Sequence, residues 1–102
     1  MLEVKILEIR LEIKYFAKVR EVTKKEHETV NIPKKSNLRE LMELLSEKYP
    51  NTMRSYMFDE VGRPIDYLSY FINGRNTHSL QGFSSEIKEG DVLIIAPSIL
   101  GG

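Results

Sequence analysis

The sequence predicts an α+β fold, a mixed sheet with one main helix packed across it, and three observations carry that prediction. Strand patterns stand near both ends: a long alternation of apolar and charged residues opens the chain, and an unbroken apolar run, Val92-Leu93-Ile94-Ile95-Ala96, comes just before its close. Between them, residues 37–49 form one strongly amphipathic helical segment. The pair Asn73-Gly74 marks a tight hairpin turn.

Bulk composition bounds the function. The 102 residues suffice for one domain with its own core and no need of staples. With 41% apolar and 29% charged residues, the chain has the make-up of an ordinary globular protein. Lysine plus arginine and aspartate plus glutamate balance at 15 each, which argues against a nucleic-acid partner. The pair Lys24-Lys25 is broken up by Glu21, Glu26 and Glu28 and reads as a solvated turn. No apolar run approaches a membrane span and no export signal precedes the first strand, so the expected location is cytoplasmic, without a membrane partner. Zero cysteines exclude disulfides, thiolate metal sites and a cysteine nucleophile within these residues.

Taken in order, residues 2–16 alternate with a period of two. Leu7, Ile9, Leu11, Ile13 and Tyr15 share one face, and Glu8, Arg10, Glu12 and Lys14 the other. Leu2, Val4 and Ile6 have the opposite parity, so a bulge or soft start is expected at Ile6-Leu7. Phe16 breaks the pattern by falling on the charged face, where a lone aromatic can anchor a partner. Residues 17–26 read as a polar turn, and His27 to Ile32 as a second strand ended by Pro33. His27 has no ligand set nearby, and no metal site is expected. Asn37 with Glu40 three residues on makes a capping box for the helix. Its apolar stripe is Leu38, Leu41, Met42, Leu45 and Tyr49, with Leu44 at the margin, and Pro50 closes it.

Residues 51–66 resemble an insertion more than a regular element, with a short helical turn conceivable around Tyr56-Met57-Phe58. Tyr67 to Ile72 reads as a strand by its aromatic and branched content. Asn73-Gly74 suits a type I′ turn, after which Arg75 to His78 return briefly. Residues 80–86 wander, and the apolar run 92–96 follows. A strand apolar at every position belongs in the middle of a sheet, covered on both faces. If only one helix exists, a partner protein must cover the second face.

That order of elements, with the first and last strands side by side, is the β-grasp arrangement. It leaves a flexible tail, residues 97–102, projecting from the sheet and ending in Gly101-Gly102. A terminal glycine pair packs nothing and weakens any strand it joins. It suits an end that must thread a narrow passage to present the Gly102 carboxylate.

Four stretches resemble a known family. Tyr15 to Glu21 (YFAKVRE) resembles the segment closing the first strand of molybdopterin synthase small subunits, and Asn37 to Leu41 (NLREL) their helix start. Ile72-Asn73-Gly74 resembles their hairpin turn, and Gly90 to Gly102 is similar to their ending without a gap. The resemblance spans roughly residues 9–102 and points to the MoaD–ThiS family of ubiquitin-like sulfur carriers. It implies a ubiquitin-like fold in which Gly102, preceded by Gly101, is adenylated with ATP by an adenylyltransferase of the ubiquitin-activating type (MoeB-like). Sulfur transfer then makes a thiocarboxylate. No cofactor is bound by the carrier itself, which is a non-catalytic subunit.

The resemblance also implies a large synthase subunit (MoaE-like) as acceptor, with Phe16 packed against it. Ile94 and Ala96 would share that outer face, and Pro97, Ser98, Ile99 and Leu100 would lead the tail into the acceptor's pocket. Ser98 stands where the family has a second proline, and Ala96 where it has a larger apolar residue. The same pattern fits a ubiquitin-like modifier joined through Gly102 to lysines, or a sulfur carrier for tRNA thiolation or thiamine.

Overall fold

The computed structural model describes residues 7–50 and 52–98. β1 (Glu8–Tyr15) runs into a helix, α1 (Ala17–Thr23), and then into β2 (His27–Pro33). The amphipathic segment forms α2 (Leu38–Lys48), and a second short helix, α3 (Met53–Met57), follows it. β3 (Leu68–Ile72) and β4 (Arg75–Asn76) make the hairpin. Single turns of 3₁₀ helix at Thr77–Ser79 and Gly82–Ser84 lead to β5 (Val92–Pro97).

The five strands form one mixed sheet in the order β2-β1-β5-β3-β4. β1 is antiparallel to β2 and parallel to β5, with Glu12 opposite Val92 and Tyr15 opposite Ile95. β3 is antiparallel to both β5 and β4. The predicted β-grasp is therefore correct, and the wholly apolar strand occupies the centre.

Alternation sends Ile9, Leu11, Ile13 and Tyr15 of β1, Leu93 and Ile95 of β5, and Leu68, Tyr70 and Ile72 of β3 to one buried face. α2 lays Leu38, Leu41, Met42 and Leu45 against it, all essentially without exposure. Each such burial stabilises by about 1.5–3 kcal/mol. The capping box is present: the Asn37 side chain accepts from the Glu40 N–H, and the Glu40 carboxylate from the Asn37 N–H. Leu7, in phase with the buried stripe, is exposed because the β1–β2 pairing stops at Glu8 and Pro33. The predicted strand start, residues 2–6, lies outside the described residues.

Three expectations need correction. Residues 17–23 are a helix rather than a polar turn. It begins at Ala17 in the left-handed region (φ 53°) and ends at Lys24, also left-handed (φ 61°). Val19 and Thr23, four apart, are its buried residues. The stretch read as an insertion supplies core, since Met53, Met57 and Phe58 are buried. Pro97, expected in the tail, is part of the sheet. Pro97 closes β5 opposite Leu68, and the Ser98 N–H donates to the Tyr67 carbonyl at 3.0 Å.

The Asn73-Gly74 turn has φ values of 51° and 83°, both positive as a type I′ turn demands. Asn73 also steers the last strand. Its N–H donates to the Val92 carbonyl, while its side chain accepts from the Val92 N–H and donates to Asp91. The return strand is shorter than expected, with His78 already in the 3₁₀ turn. Among the described residues, no helix is long and apolar enough to cross a membrane.

Candidate functional site

The strand that carries the chain toward its C-terminus has two unlike faces. Leu93 and Ile95 are buried under α2, whereas Ile94 and Ala96 are half-buried on the outer face of the sheet. Lys14 of β1 and Phe71 of β3 stand opposite Ile94, and Ser69 stands opposite Ala96. Phe16 continues the outer parity of β1. Its N–H donates to the Ile95 carbonyl at 3.2 Å, and its ring remains 39% exposed.

Arg20 holds that ring from above. Its guanidinium carbon lies 5.4 Å from the ring centroid, and its Nε donates to the Tyr15 carbonyl at 3.2 Å. Arg20 and Glu21 face Glu26 and Lys18 respectively, each at 3.6 Å.

Three residues expected on a partner face, Phe16, Ile94 and Ala96, are thus brought together. β3 and the residue before it add two more that sequence reasoning missed. Phe71 is half-buried, and Tyr67 is 61% exposed beside Ser98, whose N–H its carbonyl accepts. Alternation in the sequence puts Tyr67, Ser69 and Phe71 on one face and Leu68, Tyr70 and Ile72 on the other, but only the packed helix shows which face is outward. The result is an apolar strip on the outer sheet, running toward the end from which β5 leaves. Pro97 is exposed and Ser98 half-buried at that end. Ile99, Leu100, Gly101 and Gly102, the remaining expected site residues, lie outside the described residues.

A second cluster lies on the core side of the same end of the sheet. The Glu28 side chain, only 8% exposed, accepts from Tyr15 Oη, from Tyr49 Oη at 2.8 Å, from Lys48 Nζ at 2.8 Å and from Lys25 Nζ at 3.1 Å. Burial works to raise its pKa. The hydrogen bonds from Lys48, Tyr15, Tyr49 and Lys25 outweigh it and hold the carboxyl down at about 2. Burial, and then the hydrogen bond to Glu28, push the Tyr15 hydroxyl well above its usual range. Every lone pair of this carboxylate is engaged, so Glu28 ties elements together and has no acceptor left for a ligand.

Across the outer face His27 Nδ1 lies 3.7 Å from Glu12. Among the described residues, no three of His, Cys, Asp and Glu converge as a metal site.

Sheet order, the helix across its core face and the central outgoing strand define the class: a ubiquitin-like β-grasp domain. The chain belongs to the ThiS family, the ubiquitin-like sulfur carriers, whose model matches residues 13–102. A curated protein of Archaeoglobus fulgidus, "Putative sulfur carrier protein", is 39% identical over 36 residues, which cover 35% of this chain. The match spans 41% of that relative's length.

Solved structures agree on the fold. The Haloferax volcanii HVO 2177 protein superposes with a TM-score of 0.82 at 20% identity, covering 100% of this chain and 94% of that one. Small archaeal modifier protein 1 of H. volcanii gives 0.78 at 21%, with 89% and 99% covered. A protein of Pyrococcus furiosus titled "Putative molybdopterin converting factor, subunit 1" gives 0.69 at 22%, again with 89% and 99% covered.

Proposed function

We propose that this chain carries sulfur on Gly102 and serves as the small subunit of a molybdopterin synthase, in the molybdenum or tungsten cofactor pathway. The observation that supports it most is a family match running unbroken through the terminal glycines, on a chain whose central strand delivers that end beside an exposed apolar strip. A carboxylate is a poor electrophile because its charge is delocalised over two oxygens. The Gly102 carboxylate therefore attacks the α-phosphorus of ATP in an adenylating partner of the ubiquitin-activating type, expelling pyrophosphate and forming an acyl adenylate. A sulfur nucleophile then displaces AMP and leaves the thiocarboxylate.

Gly101 and Gly102 add no side chain to obstruct either step. Catalytic groups come from the partners. The strip formed by Phe16, Ile94, Ala96, Phe71 and Tyr67 docks the large synthase subunit, and Pro97 to Leu100 lead the tail into its pocket. Ser98 supports a tail that stays in register one residue beyond Pro97, because its N–H donates to Tyr67 and a proline there has no donor to give.

The test is intact-mass measurement after incubation with the adenylating enzyme, ATP and sulfide. One oxygen is expected to be replaced by one sulfur, and deletion of Gly102 is expected to abolish this with the thermal melt unchanged. An unchanged mass for the full chain refutes the carrier reading. The segment after Lys88 found joined through Gly102 to lysines of other proteins, without thiocarboxylate, transfers the assignment to a protein modifier.

A further inference from the structure

On the side of α1 away from Phe16 lies a second surface that the carrier chemistry leaves unused. α1, the end of α2 and the start of α3 border an open groove of about 530 Å³. Tyr49 and Tyr56 are its aromatic residues, and Lys18, Lys24 and Lys48 its cations. Glu21 is the one carboxylate among the lining residues. It is 69% exposed at 3.6 Å from the equally exposed Lys18 ammonium, a pair that solvent screens heavily. Glu28, behind the groove, is saturated by its four donors. A chain of zero net charge thus concentrates a positive surplus here.

The surplus is held in place. The Lys25 and Lys48 ammoniums lie 5.7 and 5.8 Å from the Tyr49 ring centroid, and both are tethered to Glu28. Lys24 stands at the end of α1 with a left-handed backbone, its N–H donating to the Arg20 carbonyl, and its side chain lines the groove. Pre-ordered cations beside aromatic faces lower the entropy cost of binding an anionic chain.

The Tyr15 N–H donates to the Glu26 carbonyl, the Phe16 N–H to the Ile95 carbonyl, and Tyr49 reaches Glu28. The groove, α1 and the outgoing end of β5 therefore share one end of the sheet. A protein gripping the tail there straddles α1, meeting apolar strip on one flank and lysines on the other.

We infer that the groove receives a short acidic polypeptide segment of the adenylating enzyme that engages the tail. Its carboxylates face Lys18, Lys24 and Lys48, and an apolar or aromatic side chain lies on Tyr49 and Tyr56. An open groove fits an extended chain better than a small molecule, which binds by burying about 70–90% of its surface. The partner's role rests on the carrier reading, whereas the groove's preference for acidic peptide stands without it.

The test uses the full chain, isotope-labelled for NMR. It is titrated separately with a short glutamate peptide bearing one tryptophan, with its glutamine counterpart and with inorganic phosphate. Saturable shifts confined to residues 18–24 and 48–56 are expected with the glutamate peptide alone, weakening as salt rises. The double variant K18Q/K24Q, which spares the Lys48–Glu28 contact, is expected to weaken peptide binding about tenfold with its melt unchanged. Shifts spread equally over Lys34, Lys35 and Lys88, the same map with phosphate, or no shifts at low salt each overturn the inference.

With the adenylating enzyme, K18Q/K24Q is expected to raise KM for the carrier about tenfold at unchanged kcat. The chain lacking Gly102 is expected to lose turnover while keeping the peptide map. An unchanged KM removes the tail-engaging partner as occupant. Absence of any adenylate from the intact chain refutes the carrier reading and leaves the peptide map to decide the groove alone.

Discussion

Glu28 draws its four donors from the end of β1, the α1–β2 loop and the C-terminal end of α2. Nothing in its sequence neighbourhood marks it, because two of those donors, Lys48 and Tyr49, are 20 and 21 positions away. Its folded pKa, at about 2, lies below the 4.5 of an unperturbed glutamate. A lowered carboxyl pKa contributes stability that is complete above the unfolded value and disappears as pH falls through the folded one. Replacing Glu28 with Gln keeps an acceptor but removes the charge that Lys48 and Lys25 face. The variant is expected to be about 1–3 kcal/mol less stable at neutral pH. Urea denaturation at a series of pH values checks this: the deficit should hold above pH 4.5 and shrink toward zero near pH 2. A deficit independent of pH means the charge is not what Glu28 contributes.

Among the elements, those with long periodic patterns were legible and the short ones were not. α2 announces itself through Asn37, Glu40 and an apolar stripe over three turns, and its cap and buried face match the reading. α1 has only seven residues, two of them buried, and its valines and threonine are poor helix formers. Its signal was the spacing Val19-Val22-Thr23, too short to separate from a turn. α1 is also entered at a cost, since Ala17 adopts a left-handed φ that a Cβ disfavours by about 1–2 kcal/mol. That bend follows directly on Phe16, where β1 ends with the aromatic ring turned to the outer face. Replacing Ala17 with Gly is expected to raise stability by up to about 1 kcal/mol. Thermal melts check it, and a loss of stability instead means the Ala17 methyl makes a packing contribution larger than its strain.

At the scale of the whole molecule, the apolar run 92–96 predicted a central strand, and its two faces carry separate tasks. Ile95 lies wholly in the core and Ile94 on the outer strip. Ile95→Ala is expected to cost about 2–5 kcal/mol in urea unfolding. Ile94→Thr keeps a branched β-carbon and should cost under about 1 kcal/mol, while weakening capture of a large synthase subunit in a binding assay. Equal losses of stability would mean that the outer face belongs to the core. The outer strip was only partly legible, because assigning Tyr67 and Phe71 to it requires knowing which side of β3 the helix covers.

The pairing of Glu12 with Val92 has a consequence in time. The β1–β2 and β3–β4 hairpins are local and can close early, yet they share no edge with each other. Only the last strand joins them, and contacts so distant along the chain form slowly. A molecule halted before Val92 holds two half-sheets with raw edges facing solvent. β5 is thus the keystone of the sheet, and its correct seating certifies a finished domain. On the carrier reading proposed above, an enzyme that captures the residues after β5 also tests, in the same act, whether the chain before them has folded.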